Sequence, residues 1–144
     1  MKILILCTGN SCRSQMAHGY LQSLDSTIQV FSAGTKPAPK VNPFAVEVMR
    51  ECGIDISGHT PQNVTAYADQ ARDYVITVCG DADANCPVFN GKVGKRLHIG
   101  FDDPAKAEGT EEEKMIVFRK VRDKIFERFK ELYSEITTDK TDKQ

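Results

Sequence analysis

Four short runs of apolar residues along the chain have the pattern of β-strands. The first, residues 2–6, ends in a loop of small polar residues, which is typical of a strand buried on both faces. Shorter runs predict further strands over residues 28–31, 74–78 and 96–99, of which the last is the weakest.

Apolar residues recur at helical spacing in two stretches of the first half of the chain. The second stretch begins at an Asn42–Pro43 cap and ends at Gly53. Cys52 lies on its apolar stripe, which favours a role in core packing. The first predicted helix has an apolar stripe formed by Met16, Ala17, Tyr20, Leu21 and Leu24.

Two more helices are predicted in the rest of the chain. One starts at a Thr-Pro pair and covers residues 60–71. The other is the clearest of all, because Thr110 and Glu113 form a capping box and residues 118–136 keep one face apolar.

The order of these elements predicts the fold class. Strands that alternate with helices favour an α/β sandwich of three layers around a central, mainly parallel four-stranded sheet. Residues 1–136 are interpreted as a single catalytic domain, and residues 137–144 as a frayed polar tail. In such sheets ligands bind beyond the carboxyl ends of the strands.

Composition and charge exclude several classes of protein. The chain has 144 residues, of which 40% are apolar and 27% are charged, and its net charge is −1. These values exclude collagen-like and wholly disordered chains, and the balanced charge argues against nucleic acid or an anionic membrane as a partner. The longest aliphatic run, residues 3–6, is too short for a membrane span or a secretory signal, so we expect a cytoplasmic protein.

Five cysteines are many for a cytosolic chain of this size. Their odd number leaves one thiol unpaired in any scheme of structural disulfides. Without a secretion signal, catalytic, redox or metal-binding roles are more common than static disulfides. The cysteines are Cys7, Cys12, Cys52, Cys79 and Cys86.

The sharpest signal in the sequence lies between the first strand and the first helix. Here a cysteine and an arginine are separated by five residues, so the segment can curl around a tetrahedral oxyanion with Cys7 below it and Arg13 beside it. Gly9 and Asn10 tolerate the left-handed conformations that turn backbone N–H groups inward. This segment, termed the anion loop, comprises Cys7, Thr8, Gly9, Asn10, Ser11, Cys12, Arg13 and Ser14.

The same environment predicts a reactive sulfur. A helix N-terminus and a nearby cation both favour the thiolate form of a cysteine, and the Ser14 hydroxyl is placed to donate a hydrogen bond to Cys7. Such a thiolate can attack the central atom of a bound anion. The alternative is an ordinary strand–helix turn that happens to contain a cysteine.

This loop, at the start of a chain of this length, resembles that of the low-molecular-weight tyrosine phosphatases. Residues 7–17 are more similar still to the thioredoxin-coupled arsenate reductases that share that fold. Further matches are Phe-Ser-Ala-Gly at residues 31–34, Val-Cys-Gly-Asp at 78–81, Cys-Pro at 86–87 and Gly-Phe-Asp-Asp-Pro-Ala at 100–105.

The resemblance implies a relay of three thiols. Reduction of arsenate needs two electrons, and Cys7, Cys79 and Cys86 can supply a self-contained cycle that ends in a Cys79–Cys86 disulfide. If residues 81–85 are helical in the reduced state, as the resemblance implies, Cys79 and Cys86 are seven helical positions apart, which places their Cα atoms about 10.5 Å from each other. A disulfide requires Cα atoms roughly 4.4–6.8 Å apart, so the segment would have to unwind. The alternatives are two buried structural cysteines or half of a metal site.

The resemblance also assigns a general acid. It is the aspartate directly before Pro104, namely Asp103, with Asp102 as the other candidate. Phosphatases of this fold often have tyrosine where Ala105 stands and proline where Gln15 stands, and both differences weaken a phosphatase interpretation.

The resulting expectation is a monomeric arsenate reductase without an organic cofactor or metal. Its partners are arsenate, phosphate or sulfate as competing anions, and thioredoxin as reductant, with glutaredoxin left open. The main rival is a tyrosine phosphatase that uses Cys7, Arg13 and Asp103 alone, and such a loop implies weak phosphatase activity in either case. A rival of another class is an anion or redox sensor that signals through Cys79 and Cys86.

Overall fold

The computed structural model describes residues 1–67, 69–80 and 92–142, with side chains up to Thr137. Within these residues the core is one parallel sheet of four strands in the order β2-β1-β3-β4. The strands are β1 (Lys2–Cys7), β2 (Gln29–Gly34), β3 (Arg72–Thr77) and β4 (Val93–His98).

Strand β1 lies in the interior of the sheet and is covered on both faces. Successive side chains of a strand point to opposite faces, yet all four residues from Ile3 to Leu6 are 0% exposed. A continuous apolar run is what a parallel strand between two layers requires. The predicted α/β fold with a central, parallel four-stranded sheet is therefore confirmed.

Three α-helices of the described chain pack on this sheet and on one another. Helix α1 (Arg13–Leu24) packs against β1 and β2, and α2 (Pro43–Arg50) packs against α1 and α3 (Glu111–Asp142). Buried apolar side chains of α3 include Phe118, Ile125 and Phe129. The sheet and these helices share a single hydrophobic core.

The predicted caps of α2 and α3 form. Asn42 Oδ1 accepts the backbone N–H of Phe44 at 2.9 Å, and Pro43 occupies the first turn, where it removes no helical hydrogen bond. At α3 the Thr110 hydroxyl accepts the N–H of Glu113 at 3.1 Å, while the Glu113 carboxylate accepts the Thr110 hydroxyl at 3.2 Å. These contacts satisfy backbone N–H groups that have no partner within a helix.

Two expectations about helices are wrong. The stretch expected to be a helix over residues 60–71 contains only a 3-10 helix, Val64–Tyr67, in its described part. Helix α2 ends at Arg50, so Cys52 lies beyond the buried stripe and is exposed. The backbone of the last helix continues to Asp142, into the stretch interpreted as a polar tail.

No helix in the described part of the chain combines the length and the apolar character needed to cross a bilayer. Even the long helix α3 has charged residues along its outer face, including the acidic residues Glu111, Glu112 and Glu113 in its first turn.

Candidate functional site

The anion loop lies at the carboxyl end of β1 and forms the floor of a cavity. Cys7 is the last residue of β1, and Arg13 is the first residue of α1. Cys12 occupies the N-cap position without a side-chain hydrogen bond to the helix. The cavity has a volume of about 540 Å³, and its lining includes Cys7, Arg13, Lys36, Cys79, Asp103 and Lys106.

The Cys7 sulfur lies at the base of the cavity between two hydrogen-bonding groups. The backbone N–H of Asn10 donates to it at 3.2 Å, and the Ser14 hydroxyl oxygen lies 2.9 Å away. Cys7 is 2% exposed, and Asn10 and Ser14 are fully buried. The backbone N–H and the hydroxyl together fix the position of the sulfur beneath the loop.

The backbone of Asn10 explains how the loop curls. Its φ of 52° lies in the left-handed region, which asparagine adopts more readily than most residues. Gly9, for which the sequence also indicated this conformation, lies outside that region. One left-handed residue is thus enough to turn the Asn10 N–H toward the Cys7 sulfur.

Arg13 joins the two sides of the cavity. Its guanidinium donates to the carbonyl oxygen of Phe101 at 3.2 Å, and it lies 3.6 Å from the carboxylate of Asp103. The Arg13 side chain is 12% exposed. A planar guanidinium held in this way keeps further N–H groups for an oxyanion in the cavity.

Of the two candidate carboxylates, only Asp103 lines the cavity. Its Oδ1 accepts the backbone N–H of Ala105 at 3.0 Å and so caps the 3-10 helix Pro104–Lys106. That bond leaves Oδ2 beside Arg13. Asp102 is exposed and is not among the residues that line the cavity.

Cys79 also lines the cavity that contains Cys7. Cys79 comes shortly after β3, is 4% exposed, and has its Sγ 3.3 Å from the Thr8 hydroxyl. The structure thus brings Cys79 to the anion loop. Cys86, the segment 81–85 expected to be helical, and the pairing of Cys79 with Cys86 lie outside the described residues.

Cys12 has a different environment from the other cysteines of the cavity. It is 4% exposed, and burial raises the pKa of its thiol to about 12. Its Sγ lies 3.7 Å from the Ser11 hydroxyl, a contact that lowers the pKa by less than burial raises it. Cys12 therefore remains a protonated thiol at neutral pH, which agrees with a packing role.

The segment after β2, residues 35–38, holds the anion loop in place through backbone hydrogen bonds that the sequence did not predict. The backbone N–H of Lys36 donates to Thr8 O at 2.9 Å, and that of Ala38 donates to Gly9 O at 2.8 Å. At Gly34, a side-chain Cβ would lie only 2.4 Å from Thr8 O. In the sequence, only the glycine of the Ala33–Gly34 pair pointed to this contact. A glycine permits a close approach of another backbone, but it does not identify the segment that approaches.

Two histidines lie behind the anion loop. His59 Nδ1 lies 2.8 Å from Gln15 Oε1, His18 Nδ1 lies 2.9 Å from Ser32 Oγ, and the two rings are 4.6 Å apart. Burial, with a smaller contribution from His59, lowers the pKa of His18 to about 4, and burial also lowers the pKa of His59. Among the described residues, no cluster of three or more His, Cys, Asp or Glu residues is arranged to hold a metal.

The sequence is similar to curated bacterial proteins along most of its length. The arsenate reductase of Bacillus licheniformis is 54% identical over 129 residues, which cover 89% of this chain and 91% of that protein.

Solved structures show the same architecture. A structure described as an arsenate reductase in the phosphate binding state is 33% identical, covers 94% of this chain and 98% of its own, and has a TM-score of 0.78. The thioredoxin-dependent arsenate reductase of Corynebacterium glutamicum is 28% identical with a TM-score of 0.68; the match covers 96% of this chain and 62% of that one.

The family assignment follows from the whole chain rather than from the loop alone. The sequence profile of the low molecular weight phosphotyrosine protein phosphatases matches residues 2–142, which include every element described above. The loop between β1 and α1, which carries the buried sulfur and the arginine, lies within that match. This protein therefore belongs to the low molecular weight phosphotyrosine protein phosphatase family.

Proposed function

We propose that this protein is an arsenate reductase with Cys7 as its nucleophile. The observation that carries the proposal is that Cys7 and Cys79 line the same cavity, Cys7 in the anion loop and Cys79 with its Sγ 3.3 Å from the Thr8 hydroxyl. Hydrolysis of a phosphate ester needs only the first of them, whereas reduction needs a second thiol. The names of the similar bacterial protein and solved structures support this choice.

Arsenate binds in the anion loop. The guanidinium of Arg13 offers parallel N–H groups to two oxygens of the anion, and the positive end of the α1 dipole lies at the same place. Backbone N–H groups supply the remaining donors, as in other loops that precede a helix N-terminus. The binding residues are Thr8, Gly9, Asn10, Ser11, Cys12, Arg13 and Ser14.

The first chemical step forms a bond between sulfur and arsenic. The Cys7 thiolate attacks arsenic, and one As–O bond breaks. Asp103, which lines the cavity beside Arg13, donates a proton so that this oxygen leaves as water. Arsenic is still pentavalent in the resulting adduct.

The second step transfers the electrons. The Cys79 thiolate attacks the Cys7 sulfur, a disulfide forms, and the electron pair of the S–As bond moves to arsenic, which leaves as trivalent arsenite. Cys86 then attacks Cys79, which releases Cys7 and leaves a Cys79–Cys86 disulfide. The dithiol of thioredoxin reduces that disulfide and is itself oxidised.

The proposal is tested with purified protein, thioredoxin, thioredoxin reductase and NADPH. We expect NADPH oxidation that depends on arsenate and is lost in Cys79→Ser and Cys86→Ser. Cys52→Ser is the matched control, because Cys52 is exposed and lies outside the cavity. Replacing thioredoxin with glutathione and glutaredoxin tests the electron donor, and we expect no turnover. Mass mapping after one turnover without reductant should find a Cys79–Cys86 bond and a free Cys7.

A tyrosine phosphatase remains the alternative, because Cys7, Arg13 and Asp103 suffice for it and the family carries that name. Fast hydrolysis of an aryl phosphate, unchanged by Cys79→Ser and Cys86→Ser and without arsenate-dependent NADPH oxidation, would establish it. We expect instead a weak hydrolysis, with arsenate reduction inhibited by phosphate and sulfate as competing anions.

A further inference from the structure

Gln15 connects the anion loop to a histidine that is distant in the sequence. Its Nε2 lies 3.1 Å from both the backbone carbonyl oxygen and the side-chain Oδ1 of Asn10. Its Oε1 lies 2.8 Å from Nδ1 of His59. Gln15 is 1% exposed and Asn10 is 0% exposed, so the contacts between these two residues form away from bulk water, whereas His59 is half-buried.

A backbone group fixes the direction of the hydrogen bonds on the sulfur side of Asn10. The N–H of Gln62 can only donate, and it lies 2.9 Å from Asn10 Oδ1, which identifies that atom as the oxygen of the amide. Asn10 Nδ2 is therefore the donor to Ser14 Oγ at 2.7 Å. The Ser14 hydroxyl, which accepts that bond, lies 2.9 Å from Cys7 Sγ and keeps its own hydrogen for a bond to the sulfur.

A second backbone group fixes the direction on the histidine side. The carbonyl oxygen of Asn10 can only accept, so the atom of Gln15 that faces it is the amide nitrogen. Gln15 Oε1 must then accept, and His59 carries a hydrogen on Nδ1. From His59 to Ser14, every hydrogen in the series therefore points toward the anion loop.

We infer that Gln15 is a positioning residue for Cys7, acting through Asn10 and Ser14. Gln15 donates to both the main chain and the side chain of Asn10, and so holds this left-handed residue in the orientation in which its amide nitrogen donates to Ser14, the neighbour of the sulfur. Without Gln15, the Asn10 amide keeps only the Gln62 N–H as a restraint on its oxygen. The inference rests on Cys7 being the nucleophile of the proposed function, but it does not depend on which oxyanion is bound.

Helix α1 supplies a matched control for a purely structural role. Gln22 also uses both ends of its amide: Nε2 donates to Asp25 O at 3.1 Å and to Ile28 O at 2.7 Å, and Oε1 accepts the N–H of Val30 at 3.2 Å. Its amide makes three hydrogen bonds, the same number as that of Gln15, but none of them is to the anion loop. Loss of its amide should therefore lower stability without affecting Cys7.

The test compares Gln15→Met with Gln22→Met, because methionine keeps the length of the side chain and removes the amide. The readout is the rate of Cys7 alkylation by iodoacetamide from pH 4 to 9, followed by mass spectrometry of the peptide that contains Cys7. We expect Gln15→Met to slow alkylation at pH 6 by about tenfold, the effect of one hydrogen bond to a charged group, and to shift the midpoint of the pH profile upward. Gln22→Met should retain the wild-type profile.

His59→Ala is the second variant. If Gln15→Met does not fold, His59→Ala tests whether the Gln15 amide positions Cys7. Because the Asn10 carbonyl still orients the Gln15 amide, we expect a shift in the same direction but smaller, about threefold in rate. The inference is overturned if folded Gln15→Met has the wild-type profile, if Gln22→Met shows an equal shift, or if His59→Ala shifts the midpoint downward. Activity with arsenate is measured separately, so a protein without reductase activity still reports on Gln15.

Discussion

The hydroxyl oxygen of Thr8 lies 3.3 Å from the sulfur of Cys79, although the two residues are 71 positions apart in the sequence. Thr8 directly follows Cys7, the proposed nucleophile, and Cys79 lies shortly beyond the end of β3. Parallel pairing of β1 with β3 brings these two strand ends to the same edge of the sheet. The contact is therefore a direct consequence of sheet topology.

Removal of this hydroxyl should affect the second sulfur and spare the first. In Thr8→Val we expect the release of arsenite in a single turnover to slow by about threefold to tenfold, because the hydroxyl no longer holds Cys79 at the loop. Alkylation of Cys7 should remain unchanged. Thr27→Val is the control, because it removes the hydroxyl of an exposed residue that donates to Asp25. Equal effects of Thr8→Val on both reactions would contradict a specific role in the electron transfer.

The two neighbouring aspartates should differ strongly in their effect on turnover. We expect Asp103→Asn to lower kcat about a hundredfold, since an amide cannot supply the proton that the leaving oxygen needs. Asp102→Asn should stay within about twofold, because the Asp102 side chain is exposed and does not line the cavity. Steady-state kinetics with arsenate measure both. A larger loss in Asp102→Asn would move the role of acid to that residue.

Gly34 should tolerate no side chain. In Gly34→Ala a Cβ would lie 2.4 Å from Thr8 O and 3.1 Å from Asn10 N, so the backbone of the anion loop must move. We expect a loss of about 2 kcal/mol in the free energy of unfolding and slower alkylation of Cys7. Urea denaturation measures the first effect. Gly58→Ala is the control, since a Cβ there would meet nothing within 4 Å.

The buried His18 should make the free energy of unfolding depend on pH. Unfolded His18 takes up a proton near its ordinary pKa of 6.5, whereas the folded protein does so only near about 4. Between these values the unfolded state binds more protons, so stability is fully present above pH 6.5 and falls as the pH is lowered to 4. The maximal contribution of His18 is about 3 kcal/mol.

Substitution of His18 isolates this contribution. In His18→Gln we expect the free energy of unfolding to fall less between pH 6.5 and 4 than in the wild type, as measured by urea denaturation at several pH values. His59 contributes with the same sign, since burial also lowers its pKa, so some slope should remain. Equal slopes in the two proteins would show that His18 does not titrate as described.

The sequence predicted the elements whose signals are local and strong. The apolar run that became β1, the stripe of α1 and the caps of α2 and α3 are all local patterns of side-chain type. The prediction of a helix over residues 60–71 was wrong, because a segment that starts at Thr-Pro but has no apolar stripe cannot bury a helical face. In the described part of this segment, a turn of 3-10 helix forms at Val64–Tyr67. The prediction that Cys52 packs in the core was wrong, because α2 ends at Arg50, before this residue.

The site itself was only partly predictable. A motif in one segment identified Cys7 and Arg13, but the partners of these residues come from other segments. The contact of Gln15 with His59 spans 44 positions, and that of Arg13 with Phe101 spans 88. Such pairs depend on how the loops between strands pack, and hydrophobic periodicity carries no information about them.

The interior position of β1 has a consequence for how this scaffold can change its chemistry. The sulfur of Cys7, the proposed nucleophile, is anchored at the end of the interior strand β1, while Cys79, Asp103 and Lys36 line the same cavity from separate connecting segments. Those segments can be exchanged one at a time during evolution without displacing the anchored atom. Hydrolytic and electron-transferring enzymes can therefore arise from a common ancestor by remodelling the periphery alone.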